Sequence, residues 1–516
     1  MADTLTANEP LYTGADWDFD KIKRVYDAIE QIAVGEMKLE IYRNQIEVIT
    51  AEQMLDAYSS IGMPLMYKHW SFGKHFARDE LLYRKGLRGL AYEIVINSSP
   101  CISYIMEENT MTMQTLVLAH AAFGHNHFFK NNHLFQQWTD ARGILDYLDF
   151  AKSYVSSCEE RYGFAAVERV LDAAHALMNH GVHRYPRKRP LDLRDELKRD
   201  RERQAYEEQI YNDLWRTVPR KDEKGTLAAV ALADRKKLLA LPEENILYFL
   251  EKRSPKLQPW QREILRIVRK ISQYFYPQKQ TKLMNEGCAT FVHYKILNRM
   301  HEKGQIEDGH FLEFLHSHTG VVFQPDFDDP RFSGINPYAL GFAMMQDIER
   351  IATDPTDEDR AWFPDIAGNG EPMATLRTAW SQYRDESFVL QFLSPALIRK
   401  LKLFKVKNDA AESHLLVEAI HDDRGYKQIR SALARQYDLA YTEPDIQVVD
   451  VNLAGDRKLI LQHNVINGIP LDESNCKQVM RLIANLWGYE VKLIEVDART
   501  GATLREHSDI APTAPV

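Results

Sequence analysis

The chain has 516 residues, 45% hydrophobic, 27% charged and 10% aromatic, with a net charge of −9. That composition is globular rather than disordered or collagenous, the length predicts two or three domains, and the acidic balance weighs against a dedicated nucleic-acid binder. The four cysteines, Cys101, Cys158, Cys288 and Cys476, lie far apart with no C-x-x-C pair, so they indicate neither a thiolate zinc cage nor a disulfide framework and suit a reducing cytoplasm.

The amino terminus MADTLTANEPLYTGADWDFD lacks the basic start and apolar run of a secretory signal. No later segment offers about 18 uninterrupted apolar residues, so no membrane span is expected and the reading is a cytoplasmic protein. Ile22, Val25, Ile29 and Ile32 recur at three and four residues and predict a helix over Trp17 to Tyr42, with a second over Ala51 to Ser60. Gly62 to Phe76, rich in glycine, proline and aromatics, reads as an ordered loop. Tyr92 to Ser98 reads as a short strand that carries Glu93, and a helix is expected from Cys101 through Met106, Glu107 and Glu108 to His120. Further helices are predicted over Thr139 to Tyr162 and Ala165 to His180.

The character changes from about 185 to 240, where the basic run Arg187, Lys188, Arg189 is at once interleaved with acidic residues. This is the pattern of a solvated charged insertion. Glu243 to Tyr276 is helical, with Pro277 expected to end or bend it. Helices carrying Glu286 and His293, and then Phe311 to His316, follow. An aromatic, turn-rich stretch over Phe323 to Phe342 reads as the lining of a cleft. Beyond about 405 the pattern alternates in the order strand, helix, strand, strand, helix, strand, which is the ferredoxin-like plan. The expected layout is a helical body over 1–405 and a small α+β domain over 406–516. That domain holds no ligand cluster and is read as the place where a protein partner, or a second copy in a homo-oligomer, would bind.

Two stretches carry chemistry. LAHAAFGHNHFFKNN, Leu118 to Asn132, places His120, His125 and His127 within eight residues, and LMNEGCATFVHY, Leu283 to Tyr294, supplies Glu286 and His293. Imidazole nitrogens and a carboxylate oxygen form the usual ligand set of catalytic zinc, while iron or manganese accepts the same set. Glu286 and His293, seven apart, share a helix face within roughly 20°. His120 and His125, five apart, lie about 140° from each other on a regular α-helix. A π-bulge, or a helix ending at Gly124, would bring them together. His316 and His318, two apart, could face one way in an extended segment and either complete the site or, with Asn285, hold the ligands from behind.

The string NEGCATFVHY resembles the NEG-x-A-[ST]-[FY] segment of gluzincin-type zinc aminopeptidases, which maps a metal ligand onto Glu286. HAAFGHNHFF resembles their H-E-x-x-H helix, mapping ligands onto His120 and His125, with one extra residue and with Ala121 where that family has its general-base glutamate. Glu107, Glu108 and Glu93 are the carboxylates available in its place. Over nearly the whole chain, DAYSSIGMP, HWSFGK, GLAYEIVINS, YIMEENT, WQREILRIVRK, SQYFYPQKQT, FLHSHT, INPYALGFAM and FPDIAG, in this order, resemble the stage V sporulation protein R (SpoVR) family. That resemblance implies a mainly α protein with a large, gluzincin-like helical body and a small carboxy-terminal domain. It also implies a link to spore cortex formation or to stress and stationary-phase responses, often beside a serine protein kinase.

Three readings follow: a zinc hydrolase of a peptide or amide bond, a non-enzymatic regulator or scaffold that keeps a metal site or only a buried polar network, and a redox protein with iron or manganese in that site. The missing glutamate favours the second.

Overall fold

A computed structural model describes residues 9–60, 63, 65–84, 93–184, 239, 241–407, 413–414, 416–453 and 455–513. The charged insertion expected over 185–240 lies almost entirely outside them. These residues form a mainly α protein with a small α+β carboxy-terminal part. They divide into two compact units, one drawn from 1–156 and 274–442, the other from 157–273 and 443–516. The boundary expected at 405/406 falls inside the first unit.

In the first unit α1 (Phe19–Glu30) starts where the Asp18 carboxylate accepts the Lys21 N–H, and it buries Ile22, Val25 and Ile29 along one stripe. A π-helical turn, Gln31–Glu36, extends it. Strand β1 (Asn44–Ile49) leads into α2 (Ala51–Ser59), capped reciprocally by Thr50 and Gln53, and then α3 (Trp70–Arg84). Trp70 to Phe76 is therefore helical rather than loop. Strands β2 (Glu93–Ile96) and β3 (Cys101–Met106) complete a sheet of order β1-β3-β2, with β1 parallel and β2 antiparallel to β3. The helix expected from Cys101 is thus a strand as far as Met106. CISYIM is buried on both faces apart from Tyr104, and a central strand covered on both sides has no alternation to betray it.

Helix α4 (Met111–Val117) runs into a π-helix, Leu118–His125, and on into α5 (Asn126–Asn131). Helices α6 (His133–Trp138) and α7 (Ile144–Tyr162) follow; α8 (Phe164–Ala176), α9 (Ile246–Arg253) and most of α10 (Pro259–Gln280) belong to the second unit, and Pro277 sits inside α10 and does not end it. The buried interior of the first unit is then built on α11 (Lys282–Glu302), with α12 (Asp308–Val321), α13 (Pro337–Thr353), α14 (Asp357–Trp362), α15 (Pro372–Gln382), α16 (Asp385–Phe392) and α17 (Pro395–Lys400). A two-stranded ribbon of β4 (Lys405–Lys407) and β5 (Leu416–Ala419) and helix α18 (Asp423–Tyr437) also belong to this unit.

The second unit holds a sheet of order β6-β7-β8-β9: Asp445–Val451, Leu459–Val465, Val491–Asp497 and Thr503–Ile510. Strands β7 and β8 are parallel and joined through α19 (Glu473–Trp487), while the outer pairs are antiparallel. This is not the ferredoxin-like order. Strand β5 and helix α18, which the alternation assigns to that domain, pack in the first unit instead, and β9 takes the fourth place in the sheet. Local periodicity sets each element's type but not which strand it pairs with.

Candidate metal centre

The centre is made by the π-helix, α11, β2 and α13. Thr110 caps α4 by accepting the Met113 N–H, and the following eight residues adopt the wider i→i+5 turn. The wider turn brings His120 and His125 side by side, ring centroids 4.6 Å apart and nearly perpendicular. Of the two ways to reconcile their spacing, the π-helix is the one found. All eight residues are buried. The segment lies backbone-to-backbone on α11: a Cβ at Gly124 would fall 2.5 Å from Ala289 Cα. On the other flank of α11 a Cβ at Gly287 would fall 2.7 Å from Gly341 of α13. The start of α11 is fixed by the buried Asp385 carboxylate, which accepts the Leu283 and Met284 N–H groups at 2.8 and 2.9 Å.

Four side chains converge. His120 Nε2 lies 3.7 Å from Glu93 Oε1 and 3.8 Å from Glu286 Oε2, and His125 Nε2 lies 3.6 Å from the same Glu286 oxygen. One ligand atom from each of Glu93, His120 and His125 falls within 4.8 Å of the others. Behind this group, His125 Nδ1 is 2.9 Å from Asn285 Oδ1, His120 Nδ1 is 2.9 Å from His293 Nδ1, and His293 Nε2 is 2.9 Å from His318 Nδ1. The Tyr338 hydroxyl donates to Glu286.

The donor chemistry fits a cation. With the Asn285 side chain assigned this way round, its amide oxygen can only accept, so the Nδ1 of His125 carries the proton and the lone pair is on Nε2. Burial holds the imidazole neutral, its pKa pushed down to about 4. That lone pair faces a carboxylate oxygen at a distance too long for a hydrogen bond. It is close to the roughly 3.4 Å that separates two ligands held tetrahedrally at about 2.1 Å from one ion. For His120 burial works against the charged form, yet the Glu286 and Glu93 carboxylates outweigh it and raise its pKa. The same excess of negative charge would be neutralised by an ion. Burial also opposes ionisation of both carboxyls. For Glu286, His125, His120 and Tyr338 overcome it and hold the pKa below the usual range, whereas Glu93 is left above it. The two carboxyls are driven apart in proton affinity.

The structure thus brings His120, His125, Glu286 and Glu93 together. His293 stands behind His120 rather than beside the carboxylates, and Asn285 and His318 stand behind His125 and His293. His316 does not join them: it and His318 lie on α12, where two residues are about 200° apart, and His316 is exposed while His318 is buried. Glu107 and Glu108 are exposed in the turn after β3; the Glu108 carboxylate accepts the Ala51 N–H at 3.1 Å, at the start of α2. His127 turns to Glu40, and Phe129 stacks on His125. Sequence reasoning missed Tyr338, although Asn336 as cap and Pro337 as first residue of a helix announce that it sits in the opening turn of α13.

A mainly α chain with a buried histidine–carboxylate cluster and a small α+β carboxy-terminal part is the class these features define. Residues 16–442 match the family model described as SpoVR like protein, and residues 444–498 match that of the SpoVR-like C-terminal domain. The chain belongs to the SpoVR family. It is 53% identical over 483 residues, 94% of this chain and 93% of the other, to a protein of Escherichia coli (strain K12) described as uncharacterized protein YcgB. No solved structure matches the chain.

Proposed function

We propose that the chain is a metal-dependent hydrolase of a peptide or amide bond, with His120, His125 and Glu286 holding a zinc ion and Glu93 handling the proton. The observation that carries this reading is the meeting of two imidazole Nε2 atoms, at 3.8 and 3.6 Å, at one Glu286 oxygen. A zinc ion held there supplies a lowered pKa for water and polarises a carbonyl. Glu286, kept ionised by His125 and His120 and bonded by the Tyr338 hydroxyl, gives the negative ligand. Glu93, whose raised proton affinity brings it toward the working range of a general base, replaces the glutamate missing at Ala121. The sporulation or stationary-phase setting implied by the family resemblance suits a cytoplasmic amidase acting on a cell-wall precursor, with a protein partner engaged through the carboxy-terminal part.

Tag-free protein should carry about one zinc per chain by elemental analysis and lose it in Glu286→Ala. A metal-free, folded wild type would sink the proposal. Glu93→Gln separates the enzyme from the second reading, a regulator with a structural ion, which Ala121 favours. As an enzyme, the variant keeps its ion and loses hydrolysis of aminoacyl and N-acyl coumarin amides; as a regulator, neither protein cleaves them.

A further inference from the structure

Three imidazoles run in line away from the centre. His120 Nδ1 meets His293 Nδ1 at 2.9 Å, and His293 Nε2 meets His318 Nδ1 at 2.9 Å. The three residues come from the π-helix, α11 and α12, and they are 5%, 2% and 3% exposed. Water therefore does not set their hydrogen bonding. Aromatic rings sheathe the outer end: His318 lies 4.8 Å from the Phe342 ring, 4.9 Å from Tyr294 and 5.7 Å from Phe314, centroid to centroid.

A neutral imidazole has one donor and one acceptor nitrogen, so a chain of them has only two self-consistent orders. In the outward order His120 donates through Nδ1 to His293 Nδ1, and His293 donates through Nε2 to His318 Nδ1. His120 Nε2 then bears a lone pair aimed at Glu93 and Glu286. In the inward order every proton is on the other nitrogen and His120 Nε2 is blocked. Only the outward order makes His120 a ligand.

We propose that His293 and His318 are positioning residues that hold His120 in its Nδ1–H tautomer and fix its ring, so that the affinity of the centre for its ion is set by two imidazoles that do not touch the ion. This assigns His293, which the sequence groups with the ligands, to an acceptor's task. It rests on the metal-centre reading above. Partners that orient a ligating imidazole are generally worth 10- to 100-fold in metal affinity.

The test is zinc affinity by competition with a chromophoric chelator, alongside melting of the ion-free proteins. His293→Asn keeps a carbonyl oxygen near the Nδ1 position that can accept from His120, whereas His293→Leu keeps bulk and has no acceptor. The expected result is a loss of about 10- to 100-fold for His293→Leu, a smaller loss for His318→Leu, and near wild-type affinity for His293→Asn, although both changes at 293 perturb the same core. In the zinc-bound wild type, imidazole nitrogen NMR should report a protonated Nδ1 on His120. Equal affinity in wild type and His293→Leu overturns the proposal, as does an equal fall in Leu and Asn variants that tracks melting temperature. A wild type that binds no zinc sinks the metal-centre reading instead.

Discussion

Gly124 is where one hydrogen atom decides the site. A methyl there would be driven to 2.5 Å from the Cα of Ala289, and a backbone atom cannot swing aside as a side-chain tip can. Gly124→Ala should therefore push the π-helix off α11, costing at least the roughly 1–3 kcal/mol typical of overpacking, and weaken zinc binding with it. Gly35, in the other π-helical turn, has nothing within 4 Å of an added Cβ, so Gly35→Ala should be neutral or stabilising by up to about 1 kcal/mol. Melting temperatures of the two variants check this; equal behaviour would mean that the close approach is not what the centre depends on. Part of this was legible in advance. The spacing of His120 and His125 called for either a widened turn or a helix end at Gly124, and NEGCATFVHY pointed to Glu286. Glu93 could be read only as a free carboxylate, because its approach to His120 depends on where β2 is placed and no local pattern encodes that.

At the scale of elements, a helix with a single apolar stripe was readable, as α1 illustrates, while pairing between strands was not. β1 passed unnoticed because NQIEVI is half-buried apart from an exposed Gln45, with neither clean alternation nor a continuous apolar run. In the carboxy-terminal sheet the inward face of β7 and β8 is apolar until it reaches His463 and Glu495, both buried. There the Glu495 carboxylate accepts from His463 at 3.0 Å, His507 and Arg505 at 2.7 Å, and the Leu471 N–H at 2.9 Å. Burial opposes its charge, yet these donors hold its pKa down to about 2. Removing the carboxylate strands the Arg505 guanidinium and two imidazoles, so Glu495→Ala should cost roughly 3 kcal/mol. Glu506→Ala, which breaks only the exposed pair with Lys492, should stay within about 0.5 kcal/mol. Urea unfolding read by amide exchange in Leu459–Val465 and Val491–Asp497 distinguishes them, and a small effect for both would make the cluster incidental.

For the whole molecule, the first unit carries an unusual load of buried neutral imidazole. Burial holds His125, His127 and His318 down to about 4 and His293 well below its ordinary 6.5. Between pH 6.5 and 4 the unfolded chain takes up protons on these four that the folded chain refuses, so each withdraws stability at up to about 1.4 kcal/mol per pH unit as the solution is acidified. Asp385, raised by burial to about 7, and Glu93, also raised, act in the opposite sense because the folded state protonates them first. His120, raised above 6.5, adds no slope in this window. Four groups against two leaves a net loss. The urea midpoint of ion-free protein should therefore fall steadily from pH 6.5 to 4.5, less steeply in His127→Phe; a flat or rising midpoint would contradict the buried, neutral state. The junction between the two family matches, 442 and 444, coincides with the point where the chain leaves the first unit for the last time.

With Gly124 against Ala289 on one flank and Gly287 against Gly341 on the other, α11 is a rail gripped from both sides, unable to slide by a residue without one main chain colliding with another. The imidazoles of the π-helix and the Glu286 oxygen are thereby frozen into a common frame. Any opening or tightening of the centre must fall to its remaining wall, Glu93, which hangs from a four-residue strand at the margin of its sheet. It is the adjustable jaw of an otherwise fixed vice.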